Sequence, residues 1–155
     1  MPVINDNRKE RDEKCLHIQM YNDLRRSVNW ITVKDKRAQK ALTNSFYKLI
    51  ARKDGKPVGM ARIVSDGGYT YFITDVIVRP ECQGEHIGTQ LIDKLLEYIK
   101  RDVMDDETVM VSLMAAYERE SFYERFGFHT RPFGNHGPGM SMWVSRIADG
   151  SIITS

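Results

Sequence analysis

Asp-Val-Ile-Val-Arg-Pro-Glu-Cys-Gln-Gly-Glu-His-Ile-Gly-Thr, residues 75–89, is the stretch that decides the fold. Its first residues are mostly β-branched and continue a strand, which Pro80 ends. Two glycines follow, and apolar residues then recur at helical spacing as far as about Arg101. The stretch therefore predicts a buried strand that is joined to a helix by a loop containing Gly84.

This loop is a candidate phosphate site. A helix start exposes unpaired N–H groups at the positive end of the helix dipole, and glycine lets the backbone come close to a phosphate oxygen. A plain strand-to-helix connection, with glycines for tight turning, explains the same residues equally well. The loop lacks the Gly-Lys-Ser/Thr of a P-loop and the Gly-x-Gly-x-x-Gly of a dinucleotide-binding fold, which excludes those two types of site.

Three antiparallel strands are predicted before the loop. Residues 46–52 and 58–64 are strand-like runs separated by Lys53-Asp54-Gly55-Lys56, and Asp-Gly between such runs is a strong hairpin signal. A second turn at residues 65–68 leads into the strand of residues 69–78. The middle of the chain is therefore expected to form a meander.

The flanking segments complete an α+β layout. The alternation of Leu16, Ile18 and Met20 predicts a first strand over residues 15–20. Two short helices follow it, and the remaining elements after the long helix are a strand, a helix and one or two strands. Their expected positions are residues 23–28, 35–42, 109–114, 119–126 and 141–147. The crossover through the long helix should make the strands on either side of it parallel.

Length and composition bound the class of protein. A chain of 155 residues, 41% hydrophobic and 28% charged, has the size and balance of one globular domain, expected over residues 15–149. A flexible charged segment over residues 1–14 and a tail over residues 150–155 should flank it. No apolar run is long enough for a membrane helix and the N-terminus lacks the apolar centre of a secretory signal, so we expect a cytoplasmic protein without a membrane partner.

The charged and sulfur-bearing residues exclude other classes of site. Cys15 and Cys82 lie far apart, which fits neither a disulfide framework nor a four-ligand zinc site, and no metal is expected. A net charge of +2 with interleaved basic and acidic residues does not favour a nucleic-acid partner.

Two motifs resemble a known family, the GCN5-related N-acetyltransferases (GNAT). Residues 75–88 are similar to its motif A, Arg/Gln-x-x-Gly-x-Gly/Ala: Gln83 and Gly88 match, and His86 takes the place of the middle glycine. Residues 121–128, Ser-Phe-Tyr-Glu-Arg-Phe-Gly-Phe, are similar to its motif B helix, at the expected distance from motif A. The resemblance covers roughly residues 15 to 147.

The resemblance implies a GNAT fold, which is a mixed, mostly antiparallel central sheet with splayed parallel middle strands and helices on both faces. Acetyl-coenzyme A would lie between the parted strands as a co-substrate. Backbone groups of Val76, Ile77 and Val78 would pair with its pantetheine arm. The pyrophosphate would be held by the loop, that is by Gln83, Gly84, Glu85, His86, Ile87, Gly88 and Thr89.

The resemblance also implies catalytic residues. Tyr123 takes the position of the motif B tyrosine that acts as general acid, although it is also explained as a core aromatic. Asp75 lies in a run that otherwise reads as buried; it is a candidate general base, an organiser of a catalytic water, or a structural partner of a turn or of Arg62. His86 is either a cation near the pyrophosphate or an exposed loop residue.

The expected activity is transfer of an acetyl group from acetyl-coenzyme A to a primary amine, of a small molecule, by direct transfer in a ternary complex. A non-catalytic acyl-coenzyme A binding module is the alternative, and His86 favours it. The acceptor pocket should be built from residues 21–45 and 133–140. Arg25, Arg26 and Trp30 favour an acidic or aromatic acceptor, or equally serve packing or a dimer contact; a homodimer is left open.

Overall fold

The computed structural model describes residues 2–6 and 14–155, and the chain forms two compact units, Met1–Met114 and Ala115–Ser155. The first unit contains strands β1 (Val3–Asp6), β2 (Tyr47–Lys53), β3 (Lys56–Ser65), β4 (Thr70–Val78) and β5 (Met110–Leu113), with helices α1 (Lys14–Ser27), α2 (Asp35–Thr43) and α3 (Ile87–Asp102). The second unit contains helix α4 (Glu120–Glu124) and strands β6 (Val144–Arg146) and β7 (Ile152–Thr154).

The five strands of the first unit form one sheet in the order β1-β2-β3-β4-β5. Neighbours are antiparallel except β4 and β5, which are parallel, so the predicted meander and the predicted crossover through α3 are both confirmed. The hairpin between β2 and β3 turns at Asp54 and Gly55, whose φ angles of 51° and 74° are those that an Asp-Gly turn provides.

The strand predicted over residues 15–20 is wrong, because these residues belong to α1. The buried positions Met20, Tyr21 and Leu24, together with the partly buried Ile18 and Val28, are spaced for one face of a helix. This longer pattern outweighs the short alternation of Leu16, Ile18 and Met20. The predicted helix over residues 23–28 is the second half of the same helix.

Both termini contain strands. The flexible segment expected over residues 1–14 is wrong for Val3–Asp6, which pairs antiparallel with β2 from Val3↔Arg52 to Asp6↔Leu49. This pairing satisfies backbone groups that would otherwise line an open edge of β2. Residues 7–13 lie outside the described part of the chain. In the expected tail, Ile152–Thr154 pairs with β6 as a separate two-stranded sheet.

The helices of the first unit cover both faces of its sheet. Met60 and Ile77 belong to a core cluster with Tyr21, Leu24 and Leu42 of α1 and α2. Gly59 points to the opposite face, where an added Cβ would lie 3.4 Å from Ile87 and 3.5 Å from Leu91 of α3. The end of β4 is thus held between two helical layers. None of the helices in the described residues is long and apolar enough to cross a membrane.

Candidate active site

Strand β4 extends beyond the end of its parallel neighbour, β5. The pairing between β4 and β5 begins at Thr70↔Met110 and ends at Ile73↔Leu113, whereas β4 continues to Val78. Beyond Ile73, β4 pairs with β3 on one side only within the described sheet. Because β5 ends at Leu113, one backbone edge of residues 74–78 has no strand partner in the described sheet and is available to pair with an extended ligand.

The direction of the backbone groups on this edge follows from one hydrogen bond. The N–H of Arg79 donates to the carbonyl of Val58 on β3, at 2.8 Å. Because N–H and C=O groups alternate in direction along a strand, those of Val78 and Val76 point to the open edge, and those of Ile77 face β3. The carbonyl of Val78 accepts a hydrogen bond from the side-chain amide of Gln83, at 3.1 Å. The open-edge N–H groups are therefore those of Val76 and Val78.

The loop after β4 has backbone amides without hydrogen-bond acceptors among the described residues. A short 3-10 turn at Pro80–Cys82 is followed by Gly84 and His86, whose φ angles of 85° and 61° reverse the chain into α3. The first helical bond after the loop runs from the N–H of Gln90 to the carbonyl of His86. No described residue accepts a hydrogen bond from the amides of residues 84–89. This row of unpaired donors at the start of a 16-residue helix fits an anion such as a diphosphate.

Asp75 lies in a β-bulge just beyond the last pair between β4 and β5. Met60 pairs with Ile77 and Arg62 pairs with Thr74, so two residues of β4 face the single residue Ala61 of β3. The φ angle of Asp75 is 51°, in the left-handed region that aspartate tolerates better than most residues. The bulge directs the side chain of Asp75 toward α1, where it is 7% exposed.

Three donors occupy the carboxylate of Asp75. The Tyr21 hydroxyl donates at 2.8 Å, the Arg25 Nη1 at 2.7 Å and the Arg62 Nε at 2.6 Å. Burial, reinforced by the nearby carboxylate, raises the pKa of the Tyr21 hydroxyl, which therefore remains a donor at neutral pH. The contact between Asp75 and Arg62, which was one of the roles expected for Asp75 from the sequence, is present.

Part of the expected acceptor region is fixed by the same helix. Arg25 donates from Nε to the carbonyl of Ile31 at 2.7 Å, and its guanidinium lies 5.5 Å from the centre of the Trp30 ring. The side-chain amide of Asn22 both donates to and accepts from the backbone of Val33. Arg25 is therefore engaged in holding the loop between α1 and α2. Arg26, in contrast, is exposed and pairs with Asp23 on the helix surface.

Tyr123 belongs to the second compact unit of the chain. It lies on α4, is 9% exposed, and its ring contacts the edges of Phe122 and Phe128 at centroid distances of 4.9 and 6.2 Å. Within residues 115–155 its hydroxyl has no hydrogen-bond partner. Burial raises the pKa of this hydroxyl above its ordinary value, so that it is protonated at neutral pH. An unpaired protonated hydroxyl is free to act as a proton donor.

The sequence reasoning missed both Tyr21 and Arg25 as partners of Asp75, since it considered Arg25 only for the acceptor, for packing or for a dimer contact. The signal was present, since Tyr21 and Arg25 are four residues apart and therefore share one face of a helix. Because a strand was predicted over residues 15–20, the helical spacing of Tyr21 and Arg25 was not recognised. The bulge at Asp75 had no comparable signal, because no turn residue interrupts the apolar run around it.

Replacing His86 by glycine should stabilise the fold and tighten cofactor binding. His86 is exposed, its side chain caps no amide, and its backbone is left-handed. This conformation costs a non-glycine residue roughly 1–2 kcal/mol. The larger conformational entropy of glycine in the unfolded state offsets part of the gain from removing that cost. We expect His86→Gly to raise the free energy of unfolding by about 0.5–1 kcal/mol. Urea denaturation and calorimetry with acetyl-coenzyme A measure the two effects.

His86→Ala is the matched control for this change, since it removes the imidazole but keeps the Cβ and the strained φ angle. The interpretation requires His86→Gly to exceed His86→Ala in both stability and affinity. Equal behaviour of the two variants would assign the effect to the imidazole and not to the backbone.

Comparisons with known proteins show the family and the fold of the chain. Residues 14–128 match the model of the Acetyltransferase (GNAT) family. The chain is 33% identical over 128 residues to the uncharacterized N-acetyltransferase ycf52 of Pyropia yezoensis, covering 80% of this chain and 71% of that protein. A probable acetyltransferase of meticillin-resistant Staphylococcus aureus superposes with a TM-score of 0.77 at 25% identity, over 91% of this chain and 98% of that one.

A further solved structure, an acetyltransferase of Clostridium acetobutylicum crystallised with acetyl-coenzyme A, superposes with a TM-score of 0.61 at 18% identity. The match covers 86% of this chain and 95% of that one. At this identity the likeness shows a common fold.

Proposed function

The chain belongs to the acetyltransferase (GNAT) family and is an acetyl-coenzyme A-dependent N-acetyltransferase, and from this premise we propose that it acetylates a primary amine of a small molecule. Both substrates bind at the same time, and the acetyl group passes directly between them. The amine nitrogen attacks the thioester carbonyl, the carbon–sulfur bond breaks, and the coenzyme A thiolate leaves.

The observation that carries this proposal is the combination of an open strand edge with a row of unpaired amides. The N–H groups of Val76 and Val78 are the donors available to the pantetheine amides and the thioester carbonyl. The amides of residues 84–89 are available to the diphosphate. Gln83 supports both parts, because its side chain joins the end of β4 to the loop. The positive φ angle of Gly84 allows the loop to turn toward α3. The apolar side chain of Ile77 is buried in the core and anchors the end of β4.

The two proton transfers of the reaction are assigned to Tyr123 and to an ordered water, and Asp75 takes part in neither. We assign Tyr123 as the general acid that protonates the departing thiolate, on the basis of its position in motif B and its protonated, unpaired hydroxyl. Asp75 is assigned a positioning role: with three donors on its carboxylate, it holds the bulge next to the open-edge N–H of Val76. An ordered water takes the proton of the acceptor ammonium before the neutral amine attacks.

Two measurements on the full chain test the function. Calorimetry should show acetyl-coenzyme A binding in the micromolar range, and a thiol-release assay with a panel of small primary amines should show turnover. Binding without release for any amine would favour the alternative, a non-catalytic acyl-coenzyme A module, for which His86 in the place of a glycine is the supporting feature. Absence of binding would overturn both.

A further inference from the structure

Lys53 is paired with a carboxylate that the diphosphate loop itself carries. Its Nζ lies 2.7 Å from Oε2 and 2.8 Å from Oε1 of Glu85, so one ammonium is shared by both oxygens. Lys53 is the last residue of β2, and Glu85 lies between Gly84 and His86. The contact therefore joins the β2–β3 hairpin to the loop.

The ion pair between Lys53 and Glu85 is not needed for the stability of the fold. The side chains of Lys53 and Glu85 are 39% and 37% exposed, and exposed ion pairs contribute little to unfolding free energies. The hairpin already has its own turn at Asp54 and Gly55, and the loop is held through Arg79, whose N–H and Nε donate to the β3 carbonyls of Val58 and Pro57.

The position of Glu85 makes it important for an anionic ligand. Its own amide is one of the unpaired donors of residues 84–89. A carboxylate carried by the same loop lies within a Debye length of whatever anion these amides bind, where repulsion is only partly screened by salt. Without a cation beside it, Glu85 opposes the attraction exerted by the amides and the helix dipole.

Resting on the proposed function, we infer that Lys53 is a positioning residue for the cofactor, which neutralises Glu85 and so keeps the loop attractive to the diphosphate. The hydrogen bond that Lys53 donates to Glu85 raises the pKa of the Lys53 ammonium, which therefore stays charged at neutral pH. Lys53 acts through Glu85 and not by contact with a phosphate oxygen.

The test is a charge cycle on acetyl-coenzyme A binding, measured by calorimetry at 50 and 500 mM NaCl. Lys53→Met should weaken binding about 5- to 20-fold at low salt and less at high salt, because salt screens the repulsion from the unpaired Glu85. Glu85→Gln should bind at least as tightly as the natural chain. The double variant should return to within about threefold of it, since neither charge remains.

Lys56→Met is the matched control. Lys56 lies on the same hairpin, is exposed, and makes no ion pair with a described residue, so its loss removes the same charge without uncovering Glu85. It should change the dissociation constant less than twofold. Coinciding urea midpoints for all variants exclude damage to the fold.

The cycle also separates the possible failures. A double variant as weak as Lys53→Met would mean that Lys53 acts directly on the ligand, and an unchanged Lys53→Met would mean that it does not act at all; each result overturns the inference and leaves the proposed function standing. A natural chain that does not bind acetyl-coenzyme A overturns the proposed function itself, and the role of Lys53 with it.

Discussion

Replacing Tyr123 by phenylalanine should lower kcat about 100-fold while the dissociation constant of acetyl-coenzyme A changes less than about twofold. The substitution keeps the ring, and with it the contacts to Phe122 and Phe128, but removes the hydroxyl. Since burial raises the pKa of that hydroxyl, the acid form is present throughout the neutral range. In the natural chain, kcat should therefore show no fall from loss of this proton below about pH 10, the unperturbed tyrosine pKa.

Tyr117→Phe provides the control, because Tyr117 is 88% exposed in the same unit and the substitution removes the same hydroxyl. Its kcat should equal that of the natural chain in the thiol-release assay. If Tyr123→Phe kept more than half of the natural kcat, Tyr123 would be a core aromatic and the proton for the thiolate would come from water.

The parts of the fold that the sequence predicts correctly are those with a local cause. Asp54-Gly55 fixes a turn that few other dipeptides form, and the apolar stripe of α3 has a period that no strand shows. The parallel arrangement of β4 and β5 follows from the crossover between them. In the N-terminal region the alternation of three residues was too short to distinguish a strand from a helix, and the burial of Tyr21 and Leu24 decides it.

In the candidate site, too, the features with a local cause could be predicted from the sequence and the non-local contacts could not. The loop of residues 84–89 was predictable because its function rests on backbone amides, and glycine and the helix start are visible in the sequence. The partners of Asp75 were not, apart from Arg62, because they depend on a bulge that turns the side chain toward α1 and on contacts across 50 and 54 residues. The pairing of Lys53 with Glu85, across 32 residues, is non-local for the same reason.

Replacing Asp75 by alanine should lower the free energy of unfolding by about 3–5 kcal/mol, because it leaves two largely buried guanidinium groups without their carboxylate. Alanine also tolerates the φ angle of 51° poorly. Asp75→Asn keeps an acceptor and a residue suited to the left-handed backbone, so we expect a smaller loss of about 1–3 kcal/mol. Tyr21→Phe removes one donor and should cost about 1 kcal/mol. Urea denaturation gives all three values.

The kinetics of Asp75→Asn distinguish positioning from proton abstraction, which stability alone does not. A carboxylate that holds the bulge through Tyr21, Arg25 and Arg62 affects the rate through geometry; a hydrogen-bonding amide should preserve most of that geometry, with a fall in kcat of less than about 10-fold and an unchanged acidic limb of the pH profile. A general base would instead lose about 100-fold or more together with that limb. If kcat fell by about 100-fold or more while acetyl-coenzyme A still bound, Asp75 would be the general base. One of the three hydrogen-bond donors on its carboxylate would then have to move away to let the incoming amine bind there.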